Sequence, residues 1–275
     1  MNLKCIKMKS KLHIIVLVKQ VPDIEKVKFD VKTGRLDRRS AKGITNPFDL
    51  NALEVAVQIK EKLGGKVTAV SMGPPQAEST LRDCLARGAD KAILLTDREF
   101  AGADTLATAY TLSCAIKLLK SFDLIVCGEK TLDGDTAQVG PEVAEFLKIP
   151  HVSYVDRIVA FNYGSIIVES DIGKFRYQYR LEYPCLITVT KDVNVPRLPT
   201  LRDKIKARKT EIEVWNAKML EKVAEPDRFG LNGSPTRVMK VFTPSTTGRK
   251  GLIFEGEAED LAERLFMILR EAEAI

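Results

Sequence analysis

The residues best suited to chemistry form one polar run, Gly128-Glu129-Lys130-Thr131-Leu132-Asp133-Gly134-Asp135-Thr136-Ala137-Gln138-Val139-Gly140-Pro141, directly after the apolar segment FDLIVCG (122–128). A glycine-punctuated loop between a buried strand and a helix can turn its backbone N–H groups toward phosphate. Asp133 and Asp135 would repel a phosphate directly, so their expected jobs are capping and ribose contact. Asp135 and Gln138 have capping-box spacing, which Pro141 opposes because a helix begun at Asp135 would lose a hydrogen bond there. Three more turns carry similar residues: Asn46-Pro47-Phe48-Asp49, Ser71-Met72-Gly73-Pro74 and Ala103-Asp104-Thr105. Asparagine followed by proline is expected as N-cap and first helical residue. Turn chemistry alone also places Gly, Asp and Asn at such positions. Neither GxGxxG nor GxxxxGK[ST] occurs, so these residues point to a nucleotide-type ligand or to ordinary turns, and no further.

Other chemistries lack their residues. His13 and His151 are the only histidines, too few for a histidine metal centre or triad. Cys5, Cys84, Cys114, Cys127 and Cys185 are odd in number, widely spaced and never CxxC, which excludes a disulfide framework or structural zinc and predicts buried small hydrophobes.

The turns are positioned by a repeating pattern. HIIVLVK (13–19) reads as a strand covered on both faces, and NPFDLNALEVAVQIKEKLGG, with Leu53, Val55, Ala56, Ile59 and Leu63 at helical spacing, as a helix stopped by Gly64. The alternation continues through strands at 66–73, 91–97 and 122–128 and helices at 75–89, 103–119 and up to about Lys148. Four β/α units with short links predict an α/β fold, a mostly parallel doubly wound sheet. In such a sheet ligands bind beyond the carboxyl ends of the strands, where the polar turns fall. After Pro150, short alternating segments predict a small antiparallel excursion, and PCLITVT (184–190) a strand closing the main sheet. Residues 221–256 are poor in core pattern and read as an extended arm, ending in a helix with Leu261, Leu265, Ile268 and Leu269 on one face. The expected organisation is a loose basic tail over 1–12, an α/β domain over 13–192, and a C-terminal region over 193–275.

The chain has 275 residues and a net charge of +6, a balance that raises nucleic acid as a partner. The charge is not spread evenly. Lys4, Lys7, Lys9 and Lys11 contribute +4, and residues 197–210 contribute +5 from six cations against Asp203, which leaves the rest of the chain at −3. That pattern argues for acidic protein partners and against nucleic acid. No run of about 18 apolar residues exists, so no transmembrane segment and a cytoplasmic location are expected.

The same turn segments carry a resemblance. VKQVPD (18–23), NPFDLNALEVAVQIKE (46–61), AVSMGPPQAESTLRDCLARGAD (69–90), GADTLAT (102–108) and DGDTAQVGPEVAE (133–145) resemble the small (beta) subunit of electron-transfer flavoproteins, and PRLPTLRDKIKARKTEIEVW (196–215) resembles its partner-recognition loop and basic helix. The resemblance implies an adenine-nucleotide alpha-hydrolase-like sheet and a large (alpha) subunit carrying a redox FAD. It implies a nucleotide site at Leu17, Asn46, Pro47, Phe48, Asp49, Met72 and the loop from Gly128 to Val139, with Asp104 and Thr105 at the same edge. Asn46 and Asp49 are expected at the nucleoside end, and the N–H groups from Asp135 to Val139 at the pyrophosphate.

Simple members of that family hold AMP there and show a DDDxNQTGQ-like loop; here DGDTAQVGP departs from it at Gly134, Thr136, Ala137 and Val139, as electron-bifurcating members do. The resemblance therefore implies a second FAD, with AMP as the alternative. It implies electrons taken from NADH, one passed to ferredoxin or flavodoxin and one through the large-subunit FAD to an acyl-CoA dehydrogenase or quinone oxidoreductase. The flavin would carry the chemistry, with no side chain required as acid or base. Leu201, four residues before Ile205 on the basic helix, aligns with the family's docking leucine, while Trp215 and the following arm are expected to wrap the large subunit. A stand-alone nucleotide-binding module is the reading from a different class.

Overall fold

A computed structural model describes residues 11–23, 28–30, 35–37, 43–237, 239, 251 and 253–274. The lysine-bearing tail, apart from Lys11 and Leu12, lies outside the described residues. The chain divides into two compact units, Met1–Arg237 and Val238–Ile275.

In the first unit the strands are β1 (Leu12–Leu17), β2 (Gln20–Pro22), β3 (Lys28–Asp30), β4 (Arg35–Asp37), β5 (Gly43–Thr45), β6 (Gly65–Met72), β7 (Lys91–Leu95), β8 (Leu124–Gly128), β9 (His151–Phe161), β10 (Ser165–Ile172), β11 (Phe175–Glu182), β12 (Cys185–Val189) and β13 (Glu213–Trp215). Its longer helices are α1 (Pro47–Leu63), α2 (Glu78–Ala86), α3 (Thr105–Leu118), α4 (Val139–Leu147) and α5 (Leu201–Lys209), with the single turn α6 (Ala217–Leu220). The second unit contains α7 (Ala258–Glu271), on which Leu265, Phe266 and Met267 are exposed.

Nine strands form one sheet in the order β11-β10-β9-β12-β8-β1-β6-β7-β13, while β2 with β5 and β3 with β4 make two small antiparallel pairs. From β9 to β13 every neighbouring pair is parallel; β10 and β11 run antiparallel at the far edge. Burial explains the strand sequences. All six residues of β1 and all five of β12 are buried, because helices cover both faces: α1 and α2 on one, α3 and α4 on the other. Cys84, Cys114, Cys127 and Cys185 are buried free thiols within this core.

Four expectations change. The first strand starts at Leu12, whose side chain is in the core, so the tail ends one residue earlier. Residues 184–190 do not close the sheet: β12 lies inside it, between β8 and β9, and the antiparallel segment continues outward from there. Trp215 does not extend toward a partner; β13 pairs with β7, and Trp215 is 9% exposed. Residues 221–237 are not a bare arm, since Phe229 is 2% exposed and packs edge-on to Phe100, and Tyr110 Oη accepts a hydrogen bond from Glu225 N at 2.7 Å. These contacts are made by residues distant in sequence, so no local periodicity announces them.

Candidate functional site

The strand order reverses at β1. Its neighbours are β6, reached through α1, and β8, reached later from the other side. The loops leaving β1 and β8 therefore diverge and open a crevice at the carboxyl edge, the general ligand position in such sheets. Leu17 ends β1, 5% exposed and facing the core, and Met72 ends β6, half-buried. Ser71, beside Met72, has a fully buried hydroxyl with no hydrogen-bond partner among the described residues.

Asp49 bridges the two diverging strands from behind. It is 4% exposed, and its carboxylate accepts the N–H of Lys19 at 2.8 Å and the N–H of Gly128 at 3.1 Å. Burial pushes its pKa up to about 7, against the opposing pull of those hydrogen bonds. Gly128 must lack a side chain here, because a Cβ would stand 2.6 Å from both Asp49 Oδ1 and Phe48 Cβ. Asn46 precedes α1 with Pro47 at N1, as expected, but its side chain does not cap the helix. It reaches across instead, donating from Nδ2 to the Lys130 carbonyl at 2.9 Å and accepting from Leu132 N at 3.3 Å. Asn46 and Asp49 thus hold the loop after β8, and their polar atoms are engaged within the protein.

The loop's own conformation is unusual for its residues. Asp135 and Ala137 have φ of 52° and 54°, followed by right-handed Gln138 at φ −99°. A left-handed then right-handed pair turns successive N–H groups to one side and forms an anion-binding concavity. A non-glycine residue such as Ala137 in that region is uncommon, with a cost of about 1–2 kcal/mol. Among the described residues, the N–H groups of Thr136, Ala137 and Gln138 have no protein acceptor, while Asp135 N is used by the Thr131 carbonyl at 2.9 Å. The expected capping box at Asp135 is absent: α4 starts at Val139, Gln138 precedes it without a side-chain cap, and Pro141 falls in the first turn where no N–H is required.

Asp133 and Asp135, expected to cap and to contact ribose, pair with cations. Asp133 holds the Lys19 ammonium at 2.7 and 2.9 Å, which outweighs burial and lowers its pKa. Asp135 holds Lys130 at 2.9 Å, whose ammonium also lies 5.8 Å from the centre of the Phe48 ring. Sequence reasoning did not place Lys19 in the site; its position two residues beyond the end of β1 was the available signal. Each carboxylate is thus paired with an ammonium, so it opposes an anion at the loop less than an unpaired carboxylate would. Glu129, whose N–H donates to the Val189 carbonyl at 2.9 Å, has its pKa raised by burial.

At the adjoining edge Asp104 caps α3, accepting from Ala107 N at 3.1 Å, and also accepts from Thr236 N and Oγ1. Thr105 Oγ1 lies 3.2 Å from both Gln138 Oε1 and Glu142 Oε1. Glu142, raised in pKa by burial, keeps its second oxygen buried with no partner among the described residues. The structure therefore brings the expected loop, Asn46–Asp49, Asp104 and Thr105 to one carboxyl edge. On α5, Leu201 and Ile205 are exposed among basic residues.

A doubly wound sheet with a polar loop at its switch point defines the class of open α/β protein whose ligands bind at the carboxyl edge of the strands. The family model of the electron transfer flavoprotein domain matches residues 33–220. The chain is 47% identical to the electron transfer flavoprotein subunit beta of Thermoanaerobacterium thermosaccharolyticum, over 92% of this chain and 96% of that protein. It is 41% identical to the caffeyl-CoA reductase-Etf complex subunit CarD of Acetobacterium woodii, over 96% and 100%, and 41% identical to protein FixA of Sinorhizobium fredii, over 92% of each. The chain belongs to the electron transfer flavoprotein family, as a beta subunit. Among the described residues no helix is long and apolar enough to cross a membrane.

Proposed function

We propose that this beta subunit binds a second FAD at the β1–β8 crevice and, with an alpha subunit, divides electrons from NADH between two acceptors. The observation that carries this reading is the loop after β8. Its unclaimed N–H groups at Thr136, Ala137 and Gln138 and the start of α4 suit a pyrophosphate, which a dinucleotide has and AMP lacks. A Cβ on Gly134 would meet only Thr131 Oγ1, at an ordinary 3.5 Å, so the chain's own packing does not demand glycine there, and a ligand's bulk would.

The protein's part is to bind and orient. Asp49 and Asn46 hold the loop from behind, leaving its N–H groups for the ligand. Lys19 and Lys130 keep Asp133 and Asp135 from repelling phosphate. Asp104, Thr105 and Gln138 line the neighbouring edge. A flavin held by these residues would supply the redox chemistry, accepting electrons from NADH, while the residues bind and orient it. The two acceptors would be ferredoxin or flavodoxin and, by way of the alpha subunit, an acyl-CoA dehydrogenase or quinone oxidoreductase. The name of the CarD relative, a subunit of a caffeyl-CoA reductase complex, supports the first of those two classes. Leu201 and Ile205 on the basic α5 dock that partner.

The test is to purify the chain with its alpha subunit, denature the complex and count the nucleotides released. Two FAD per heterodimer is the expected result. One FAD with one AMP would replace this reading with a simple electron carrier holding structural AMP.

A further inference from the structure

Residues 191–200 connect β12 to α5 without regular structure, yet they are fastened along their length. The Arg197 guanidinium forks between two carboxylates of α1: Nε and Nη2 donate to Glu54 at 2.8 and 3.0 Å, and Nη1 and Nη2 donate to Glu61 at 2.5 and 2.9 Å. The Arg197 N–H also donates to Glu54, at 3.1 Å, and its carbonyl accepts from Arg87 Nη1 at 2.6 Å. One turn earlier on α1, Asn51 Nδ2 donates to the Lys191 and Asn194 carbonyls, and Asn194 Nδ2 returns a bond to the Asn51 carbonyl. Asn51, Glu54 and Glu61 lie on one face of the helix by their spacing.

Apart from Val193, which packs against the main core, this fastening does not bury the segment's large apolar side chains. It presents Val195, Leu198 and Leu201, which are 88%, 84% and 75% exposed. Ordering a loose segment on docking costs about 1–2 kcal/mol per residue of backbone freedom, so a segment held in advance docks more tightly. The Glu54 side chain is 6% exposed, and burial alone would favour its neutral form; the hydrogen bonds from Arg197 reverse that and hold it ionised, as they do Glu61.

We propose that Arg197, clamped by Glu54 and Glu61, is a positioning residue that preorganises the Val195–Leu198–Leu201 ridge for the partner flavoenzyme. Helix α1 then serves both sites, fastening the nucleotide loop at its N-terminus and the docking ridge two to four turns on. This inference rests on the docking role proposed above for Leu201.

The test uses the heterodimer and an acyl-CoA dehydrogenase on which the unmodified heterodimer turns over. Arg197→Lys keeps the charge and removes the fork. It is expected to raise KM for the dehydrogenase about tenfold, leave kcat, flavin content and NADH-driven flavin reduction unchanged, and speed amide exchange over 191–201. Arg197→Gln strands a buried carboxylate, so the charge-free pair Arg197→Gln with Glu54→Gln is measured beside it, with the same KM rise expected. An unchanged KM despite faster exchange overturns the proposal, as does a rise accompanied by lost flavin or slowed NADH reduction. Leu201→Ala separates the two levels: KM raised by Leu201→Ala but not by Arg197→Lys removes the clamp alone, whereas KM moved by neither removes the docking reading beneath it.

Discussion

The loop after β8 and the segment after β12 leave neighbouring strands of one sheet, and both are fastened to α1, by opposite chemistry. The first is held through its backbone: the buried Asp49 carboxylate accepts N–H groups at the loop's root, and Asn46 reaches its middle. The second is held through a half-exposed guanidinium between two carboxylates. The difference follows from what each must offer. A loop that is to receive a polyanion, as proposed for this one, keeps its outer N–H groups unclaimed, so its anchor lies behind it and out of water. A segment that presents apolar side chains can spend its polar ones on ion pairs near the surface. The first anchor is therefore expected to be sensitive to pH and the second to salt.

The largest effect expected is at Asp49. The folded state keeps the Asp49 proton up to about pH 7, while the unfolded chain releases it near the ordinary value of 3.8. Between those values the folded state binds more protons, so Asp49's contribution lowers stability as pH rises, on the order of 4 kcal/mol across the window. Asp49→Asn should flatten that part of the slope. Denaturant unfolding at several pH values reads it, with the single tryptophan, the buried Trp215, as reporter. Coincident slopes for the two proteins would show that Asp49 titrates as if exposed, and the pH half of the contrast would fail.

Next is a pair of glycines on the same loop. Gly128→Ala drives a Cβ into Asp49 and Phe48 and should cost about 2–3 kcal/mol as well as the bound nucleotide. Gly134→Ala meets nothing closer than 3.5 Å and should leave stability within about 0.5 kcal/mol, yet lower FAD content in the heterodimer. Equal FAD content in Gly134→Ala and the unsubstituted protein would detach Gly134 from the ligand.

How much of this was legible in the residues differs between the two regions. The alternation of apolar strands and amphipathic helices is a local signal, and it located the β8 loop, α1 and its Asn46-Pro47 start. What those side chains do there was not legible, because Asn46 bonds Lys130 and Leu132, more than eighty positions away, in place of its own helix. Asp135 has the spacing of a cap but takes φ 52°, a choice made by the loop's closure and not by the adjacent residues. The place of β12 inside the sheet, and of Trp215 and Phe229 in the core, depends on which strands meet, which a periodic pattern does not encode. Arg197 read only as one charge in a basic run; its partners Glu54 and Glu61 lie 143 and 136 positions away.

For the second anchor, Glu61→Gln should cost about 1 kcal/mol in low salt, because the carboxylate is half exposed, and the loss should shrink toward zero near 1 M salt. Unfolding of both proteins at low and high salt measures it. A loss independent of salt would mean that hydrogen bonding, and not charge, holds the segment, which would erase the contrast with Asp49.

The smallest effect on stability is expected where the loop after β8 itself uses an ion pair. Lys19 and Asp133 are both partly exposed, so their bond is worth less than about 1 kcal/mol to the fold. Its consequence for ligand is larger in kind. Lys19→Gln leaves an unpaired Asp133 carboxylate beside the N–H concavity, where it repels phosphate across a short distance. Nucleotide affinity should therefore fall severalfold at low salt and recover as salt screens the repulsion, while unfolding stability stays nearly level. Adding Asp133→Asn removes the same charge and should restore binding with no lysine present. If Lys19→Gln instead unfolds the loop, with its amides exchanging freely, then the ion pair and not the buried Asp49 is the anchor, and the two regions are fastened by the same chemistry after all.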